Sequence, residues 1–438
     1  MRDLILTVIV VGSLPISVAR PFIGILMWTW VGFMNPHRLT WGFAFDMPFA
    51  QMIAAATLLG FLLTRDRRPV PRTLESALLV AFWVVVALST AFAMFPDLAR
   101  DDFMQFSKVL LMAFVTIMLC QDQAKLRVLL LVAAASIGFY GFKGGLFGLA
   151  TGGQYMVLGP EPSFIGDNNG LGLAMTMTLP LLFFLARNES RKWIRLVLYA
   201  TFALTVLSVL LTYSRGNFIG LAVVLGLILL KSRWKSVTIV AVLVGGLLAS
   251  TFLPAKWFDR MDTIQNYEED GSAMGRIYAW RIARELAWES PLLGGGFRVL
   301  QPEVWRRFMP EYTRWHNAHS IYFQVLAEHG YTGLAIFLAL VISTLIALWS
   351  IRRQNAGRPE RAWIVNYSHM LEVSIIGFLA TGAFQNLAYF DLYWFLISIA
   401  IILKRLAAEP LAKAERVPTT PVPAPRPSPR VPVVWGLR

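Results

Sequence analysis

Runs of apolar residues long enough to cross a lipid bilayer recur along almost the whole chain, and they leave it few folds to choose from. In hydrocarbon a backbone must satisfy its own hydrogen bonds, so such runs form spanning helices of roughly 20 residues. They lie at about 45–63, 77–95, 105–120, 128–149, 170–187, 194–213, 216–231, 235–254, 325–350, 366–388 and 391–404. Ahead of them, residues 4–34 hold two short apolar pieces broken at Arg20-Pro21, with no convincing signal-peptide cleavage site. Each piece is short for a full crossing, so together they are expected to form one broken or shallow span, for about twelve transmembrane helices with both termini cytoplasmic. Composition agrees: 56% of the 438 residues are hydrophobic and 15% are charged, against about 25% charged in soluble domains. The fold expected is an all-α polytopic membrane protein.

The net charge of +14 sits in short loops, which assigns it to the positive-inside rule and to anionic lipid headgroups rather than to nucleic acid. Arg65-Asp66-Arg67-Arg68, Arg191-Lys192-Trp193-Ile194-Arg195, Lys231-Ser232-Arg233-Trp234-Lys235 and Arg352-Arg353 mark cytoplasmic loops. Alternation from these places residues 150–169, the turn at 213–216 and the segment 255–319 on the opposite side. The single cysteine, Cys120, excludes an intrachain disulfide and a cysteine-based metal site.

Four regions follow: an N-terminal transmembrane bundle (1–254), an arginine-rich helical outer segment (255–319), C-terminal transmembrane helices (320–404) and a tail (405–438). The tail is proline-rich from Val417 and is expected to be extended and disordered. In the outer segment, Asp259 to Asp270 is acidic and polar. Helical spacing follows from Met274 to Trp288, with Ile277, Trp280, Ala283, Arg284 and Ala287 on one face. Pro291-Leu292-Leu293-Gly294-Gly295-Gly296-Phe297 ends that helix as a turn, and a short helix is expected from Pro302 to Phe308. Trp280, Trp288, Trp305, Tyr312 and Trp315 suit the headgroup level.

Three of the five histidines, His316, His319 and His329, fall within residues 315–330, where the chain re-enters apolar sequence. A group that titrates near neutrality at the bilayer surface suits acid–base chemistry; the plainer reading is a structural histidine at a helix start. Arg215 lies in a tight outer turn, where it either snorkels to headgroups or grips an anion. Arg276 follows a glycine at an expected helix start, where free N–H groups also favour an anion. Lys143 faces outward, and Asp167 and Asn168 read as N-cap residues or as partners for sugar hydroxyls. His316 and His319 are spaced to share a helix face, yet there is no HExxH and no adjacent pair of acids, so no metal is expected.

In order, the chain reads Ser214-Arg215-Gly216, Gly275-Arg276 with Trp280, Pro291-Leu292-Leu293-Gly294-Gly295-Gly296, then His319-Ser320 with Gln324, Leu326, Glu328, Gly330 and Gly333. This resembles the bacterial O-antigen ligase and polymerase superfamily over about residues 160–350. The N-terminal third, with Gly141-Phe142-Lys143-Gly144-Gly145, resembles the subgroup of O-glycosylation ligases linked to exosortase systems. The resemblance implies a C-type glycosyltransferase architecture in the bacterial inner membrane, with its active site facing the periplasm. It implies metal-independent, cofactor-free, inverting transfer of a glycan from undecaprenyl pyrophosphate to lipid A–core. Extension of a second lipid-linked glycan and modification of a protein acceptor stand as alternatives. His319 would be the general base, and Arg215 and Arg276 would hold the pyrophosphate, with Arg281, Arg298 and His316 as further substrate-binding residues. His319 precedes serine where many members have asparagine, whereas Asn317 follows His316; the downstream Leu-x-x-x-Gly spacing favours His319. An alternative of another class is a lipid-linked sugar flippase. Such carriers bury acids in their spans, and here Glu372 is the exception among middle spans nearly free of them.

Overall fold

The computed structural model describes residues 1–231, 254–255, 257–258, 271–311 and 314–409. The span read at 235–254 (apart from Pro254), Asp259 to Asp270, Tyr312 and the proline-rich tail lie outside the described residues. Residues Met1–Ala407 form one compact unit. A second unit runs Ala408–Arg438, of which residues 408–409 are described.

The described chain is helical: α1 (Arg2–Ala19), α2 (Pro21–Met34), α3 (Phe49–Leu63), α4 (Leu74–Ala91), α5 (Pro96–Leu119), α6 (Gln123–Thr151), α7 (Asn168–Asn188), α8 (Lys192–Leu210), α9 (Arg215–Lys231), α10 (Gly271–Glu289), α11 (Pro302–Phe308), α12 (Ile321–Asn355), α13 (Ala362–Gly382) and α14 (Asp391–Ala408). Among the described residues, eight helices are long and apolar enough to cross a membrane. Helix starts follow capping chemistry. The Thr73, Asp122 and Asp167 side chains accept the N–H of Ser76, Lys125 and Gly170, opening α4, α6 and α7.

Residues 4–34 depart from the single broken span expected of them. Arg2 donates to Leu39 O at 3.4 Å, and Asp3 Oδ1 accepts the N–H of Gly42 (2.9 Å) and Ala44 (3.2 Å). The start of α1 therefore meets the stretch after α2, and the two helices run out and back as a hairpin turning at Arg20-Pro21. Proline at the first position of α2 needs no N–H donor there, so one residue suffices for the turn. The N-terminus thus lies at the same end of the bundle as Asn35, not at the end of the basic loops.

Almost wholly buried, α7 is surrounded by α6, α8, α9 and α13. Small residues let these helices approach closely. A Cβ added at Gly145 would lie 2.8 Å from Leu204 Cβ, so the Gly141-Phe142-Lys143-Gly144-Gly145 stretch is a packing face of α6 against α8. Lys143 points away from that face and is exposed.

The basic loops gather at one end. Lys231 and Arg352 both pair with Glu372 (2.7 and 2.8 Å), Lys404 pairs with Glu75 (2.9 Å), and Arg127 pairs with Glu189. Arg405 donates to the carbonyls of Ile117 and Cys120. Connections at 92–95, 150–167, 211–214, 290–311, 314–320 and 383–390 meet at the other end, in keeping, among the described residues, with the alternation read from charge beyond residue 64.

Candidate active site

Two glycine stretches interlock to build the site's frame. Helix α12 breaks at Gly330, whose φ of 65° and ψ of −169° no other residue type adopts readily. The break exposes carbonyls, and the turn at 291–297 fills it. Gly295 and Gly296 donate to Ala327 O and Glu328 O (both 2.9 Å), while Pro291 O accepts from Tyr331 N (2.8 Å). Met94 N in turn donates to Gly295 O (2.9 Å), which fixes the turn to the end of α4. A broken helix at this depth is tolerated because each freed group finds a partner.

Behind the turn lies a buried polar chain. Tyr389 Oη lies 2.6 Å from Glu328 Oε2 and 2.7 Å from His329 Nε2, while His329 Nδ1 lies 2.9 Å from Ser89 Oγ. Ser89 spends its one hydrogen on Glu328 O (2.7 Å), so it accepts from His329 Nδ1–H. His329 is a fully buried strut between α4, α12 and the 383–390 loop.

Residues 314–320 form an irregular strap ahead of α12, held by two indoles. Trp305 Nε1 donates to His316 O (3.2 Å) and Trp280 Nε1 to Ala318 O (2.7 Å); Trp280 also stacks on Phe323 with ring centroids 5.0 Å apart. Trp305 is 1% exposed. These two tryptophans therefore fix the strap rather than float at headgroup level, whereas Trp288 and Trp315 are exposed. His316 and His319 do not share a helix face, because the helix starts only at Ile321, after both. His319 sits at φ 44°, in the left-handed region. Trp280→Phe keeps the stack and removes one donor. It is expected to loosen the strap and cost about 1 kcal/mol, measured as a lowered Tm of the purified protein with its membrane level unchanged.

His316 rests on Gly275: a Cβ there would lie 2.7 Å from His316 Cδ2. The glycine of Gly275-Arg276 thus seats an imidazole rather than opening a helix. Helix α10 already begins at Gly271, so Arg276 lies past its first turn and gains no free N–H groups nearby. The helix-terminus argument applies instead to Arg215, the first residue of α9, where Ser214 Oγ accepts from Asn217 N at 3.4 Å. The face of α10 matches the expected one in part: Ala283 and Ala287 are buried, together with Ala279, Ile282 and Leu286, whereas Ile277 and Arg284 are exposed.

His319 joins these pieces. Burial, then the charges of Arg276 and His316, push its pKa down to about 4, with Asp167 acting in the opposite sense. His316 is lowered too, by burial and then by Arg314 and Arg276. Asp167 caps α7 beside Asn168 and Asn169, which tie the Arg215 turn to this region. Asn168 Nδ2 donates to Thr212 O (2.9 Å), Ser214 Oγ to Asn169 Oδ1 (2.7 Å), and Gln385 Nε2 to Asn217 Oδ1 (2.6 Å). A Cβ at Gly216 would lie 3.0 Å from Phe384 Cβ, and one at Gly382 2.9 Å from Ile321 Cδ1. The 167–169 cap, the 212–217 turn, the 382–385 loop and the histidine strap are thus one packed cluster. Sequence reading singled out Arg215 and His319 but missed Asn217 and Gln385, whose neutral amides leave no pattern along the chain.

Two other expected binding residues lie elsewhere. Arg298 forms a bidentate pair with Asp102, Nε at 2.7 Å and Nη2 at 2.6 Å, and its N–H donates to Glu328 Oε1 at 3.1 Å. Arg281 is exposed on the outer face of α10.

Residues 200–338 match a family described as O-antigen ligase. Residues 1–190 match a family of unknown function (DUF5935). A Rickettsia bellii (strain RML369-C) protein named "Putative polysaccharide ligase" is 28% identical over 140 residues, 30% of this chain and 33% of that one. The match therefore spans about a third of that relative's length.

Proposed function

We propose, because residues 200–338 place this chain in the O-antigen ligase superfamily, that it transfers a glycan from a polyprenyl pyrophosphate to an acceptor hydroxyl. The single observation that carries this reading is that Arg276, His316 and Asp167 all act electrostatically on His319, and that the Asp167 cap is hydrogen-bonded to the turn ending at Arg215, at the end of the bundle away from the basic loops.

The donor brings its own leaving group, so the protein has two tasks. Fixed positive charge from Arg215 and Arg276 balances the negative charge that grows on the departing pyrophosphate. His319 takes the proton of the attacking hydroxyl. With a pKa of about 4, its imidazole is neutral at pH 7 and its lone pair is available. An incoming diphosphate beside it offsets Arg276 and raises its basicity as the substrate binds. Displacement by the hydroxyl inverts the anomeric carbon, the pyrophosphate leaves with the bonding pair, and the imidazolium holds the proton.

The acid limb of the profile follows with a definite sign. A base with a lowered pKa stays active as pH falls below 6.5 and loses activity only near its own pKa. In kcat/KM measured across pH 3.5–8, the half-point is expected near 4 rather than 6.5. Arg276→Gln removes one of the two lowering charges, so it is expected to shift that half-point upward and to reduce turnover. An unshifted limb in an active variant would count against His319 as the base.

The acceptor is resolved in one reaction. Purified protein in liposomes receives lipid-linked glycan with lipid A–core, a serine- and threonine-rich protein, or a second lipid-linked glycan. Product on lipid A–core is expected; product in none of the three would reject the transferase. The flippase reading draws less support, since Glu372, the acid it needs, is paired with both Lys231 and Arg352.

A further inference from the structure

A cavity of about 800 Å³ lies beside the histidine strap but is lined by none of His319, His316, Arg215 or Arg276. Its volume is in the range of about 300–1,000 Å³ typical of small-molecule sites. The walls come from six places: Asn35 after α2, the first half of α5, Phe164 in the 150–167 connection, the 297–301 stretch, the strap with the start of α12, and residues 386–391.

The lining chemistry is specific. Six carboxamides face it: Asn35, Gln105, Gln301, Asn317, Gln324 and Asn386. Three acids, Asp102, Glu328 and Asp391, accompany one cation, Arg298, which is already bidentate on Asp102. Trp315, Phe164, Phe297 and Phe390 supply flat apolar faces. Amides and carboxyls pair with hydroxyl groups, while aromatic faces stack on the C–H faces of sugar rings. The one lining cation is already committed to Asp102, so a phosphate or pyrophosphate entering here meets no uncommitted positive charge from the lining residues.

Resting on the transfer reading above, we propose that this cavity is a subsite for an unphosphorylated saccharide, the acceptor end of the reaction. Asn317 lines the cavity two residues before His319, and Gln324 lines it one turn into α12. The strap therefore separates a cationic cluster from an amide-lined compartment whose one cation is paired with Asp102. The cationic cluster suits the donor's diphosphate, and the amide-lined cavity suits the sugar whose hydroxyl attacks. Leading sugars of the donor glycan offer the same chemistry, and the test separates the two sources.

Full-length protein in lipid nanodiscs is titrated with core oligosaccharide freed from lipid A by mild acid, with and without phosphatase treatment. The donor's glycan, freed from its pyrophosphate, and a serine- and threonine-rich peptide are titrated in parallel. Gln105→Ala and Trp315→Ala change exposed side chains, so folding is expected to be kept. The dephosphorylated core is expected to bind about tenfold more tightly than the phosphorylated one, and each variant to weaken it about tenfold. In transfer assays the acceptor KM should rise similarly, with kcat and donor KM within about twofold of the parent. Equal or tighter binding of the phosphorylated core overturns the proposal. So does a rise in donor KM instead, displacement of the core by the peptide, or variants that bind as the parent does. Saccharide binding in a protein that transfers nothing would sink the transferase reading and leave this site standing. Transfer with an unchanged acceptor KM in both variants would do the reverse.

Discussion

His319→Ala is expected to lower turnover by about 10²–10⁴-fold, the usual contribution of a positioned general base, while the protein remains in the membrane at parental levels. The side chain is partly buried in the strap and its backbone is held from outside, through Trp280 on Ala318 O and Trp305 on His316 O. Removing the imidazole therefore leaves the strap tethered. That separates this variant from a folding defect: donor KM should stay near the parental value while kcat collapses. His316→Ala provides the contrast. His316 packs on Gly275 and depresses the basicity of His319. Its loss is expected to reduce turnover less and to move the acid limb upward. Parental turnover by His319→Ala in a purified assay would remove the base from the mechanism.

Gly330→Ala is expected to be the most damaging substitution to the fold, costing at least about 3 kcal/mol. Two independent penalties act at once. The backbone there is in a region reserved to glycine, and a Cβ would lie 2.6 Å from Pro291 O and 3.0 Å from Gly294 N. Neither neighbour can move without breaking the hydrogen bonds that close the gap in α12. Against a typical total stability of about 5–15 kcal/mol, such a loss shows as low recovery of monodisperse protein and a lowered Tm. Gly357→Ala is the control, since it also has positive φ (76°) but nothing within 4 Å of an added Cβ. It is expected to cost only about 1–2 kcal/mol, the strain of the left-handed backbone alone. Similar losses at both positions would mean that the interlock contributes little.

Much of the architecture was legible along the chain because bilayer physics is local. Each run of apolar residues must close its own hydrogen bonds, and each arginine-rich loop reports its side. The short helix at Pro302–Phe308 and the cap at Asp167 were readable for the same reason: their signals lie within a turn of the residues they shape. The hairpin at residues 2–34 was not, since what folds it back is Asp3 bonding the N–H of Gly42 and Ala44, nearly forty positions away. The tryptophans misled for a related reason. An indole at a membrane surface and an indole holding the histidine strap have the same sequence signature.

By itself, the sequence determined that the chain is a bundle of apolar helices long enough to span a membrane, and which arginines and histidines merit attention. Only the tertiary structure decided that Arg276 lies past the first turn of its helix, that Arg298 is committed to Asp102, and that an amide-lined cavity adjoins the histidine strap. The reason is one of range: hydrophobic periodicity and charge act over a helical turn or a span. A site is made where segments hundreds of residues apart, such as Ser89 and His329, find each other's hydrogen-bonding groups in the same small volume.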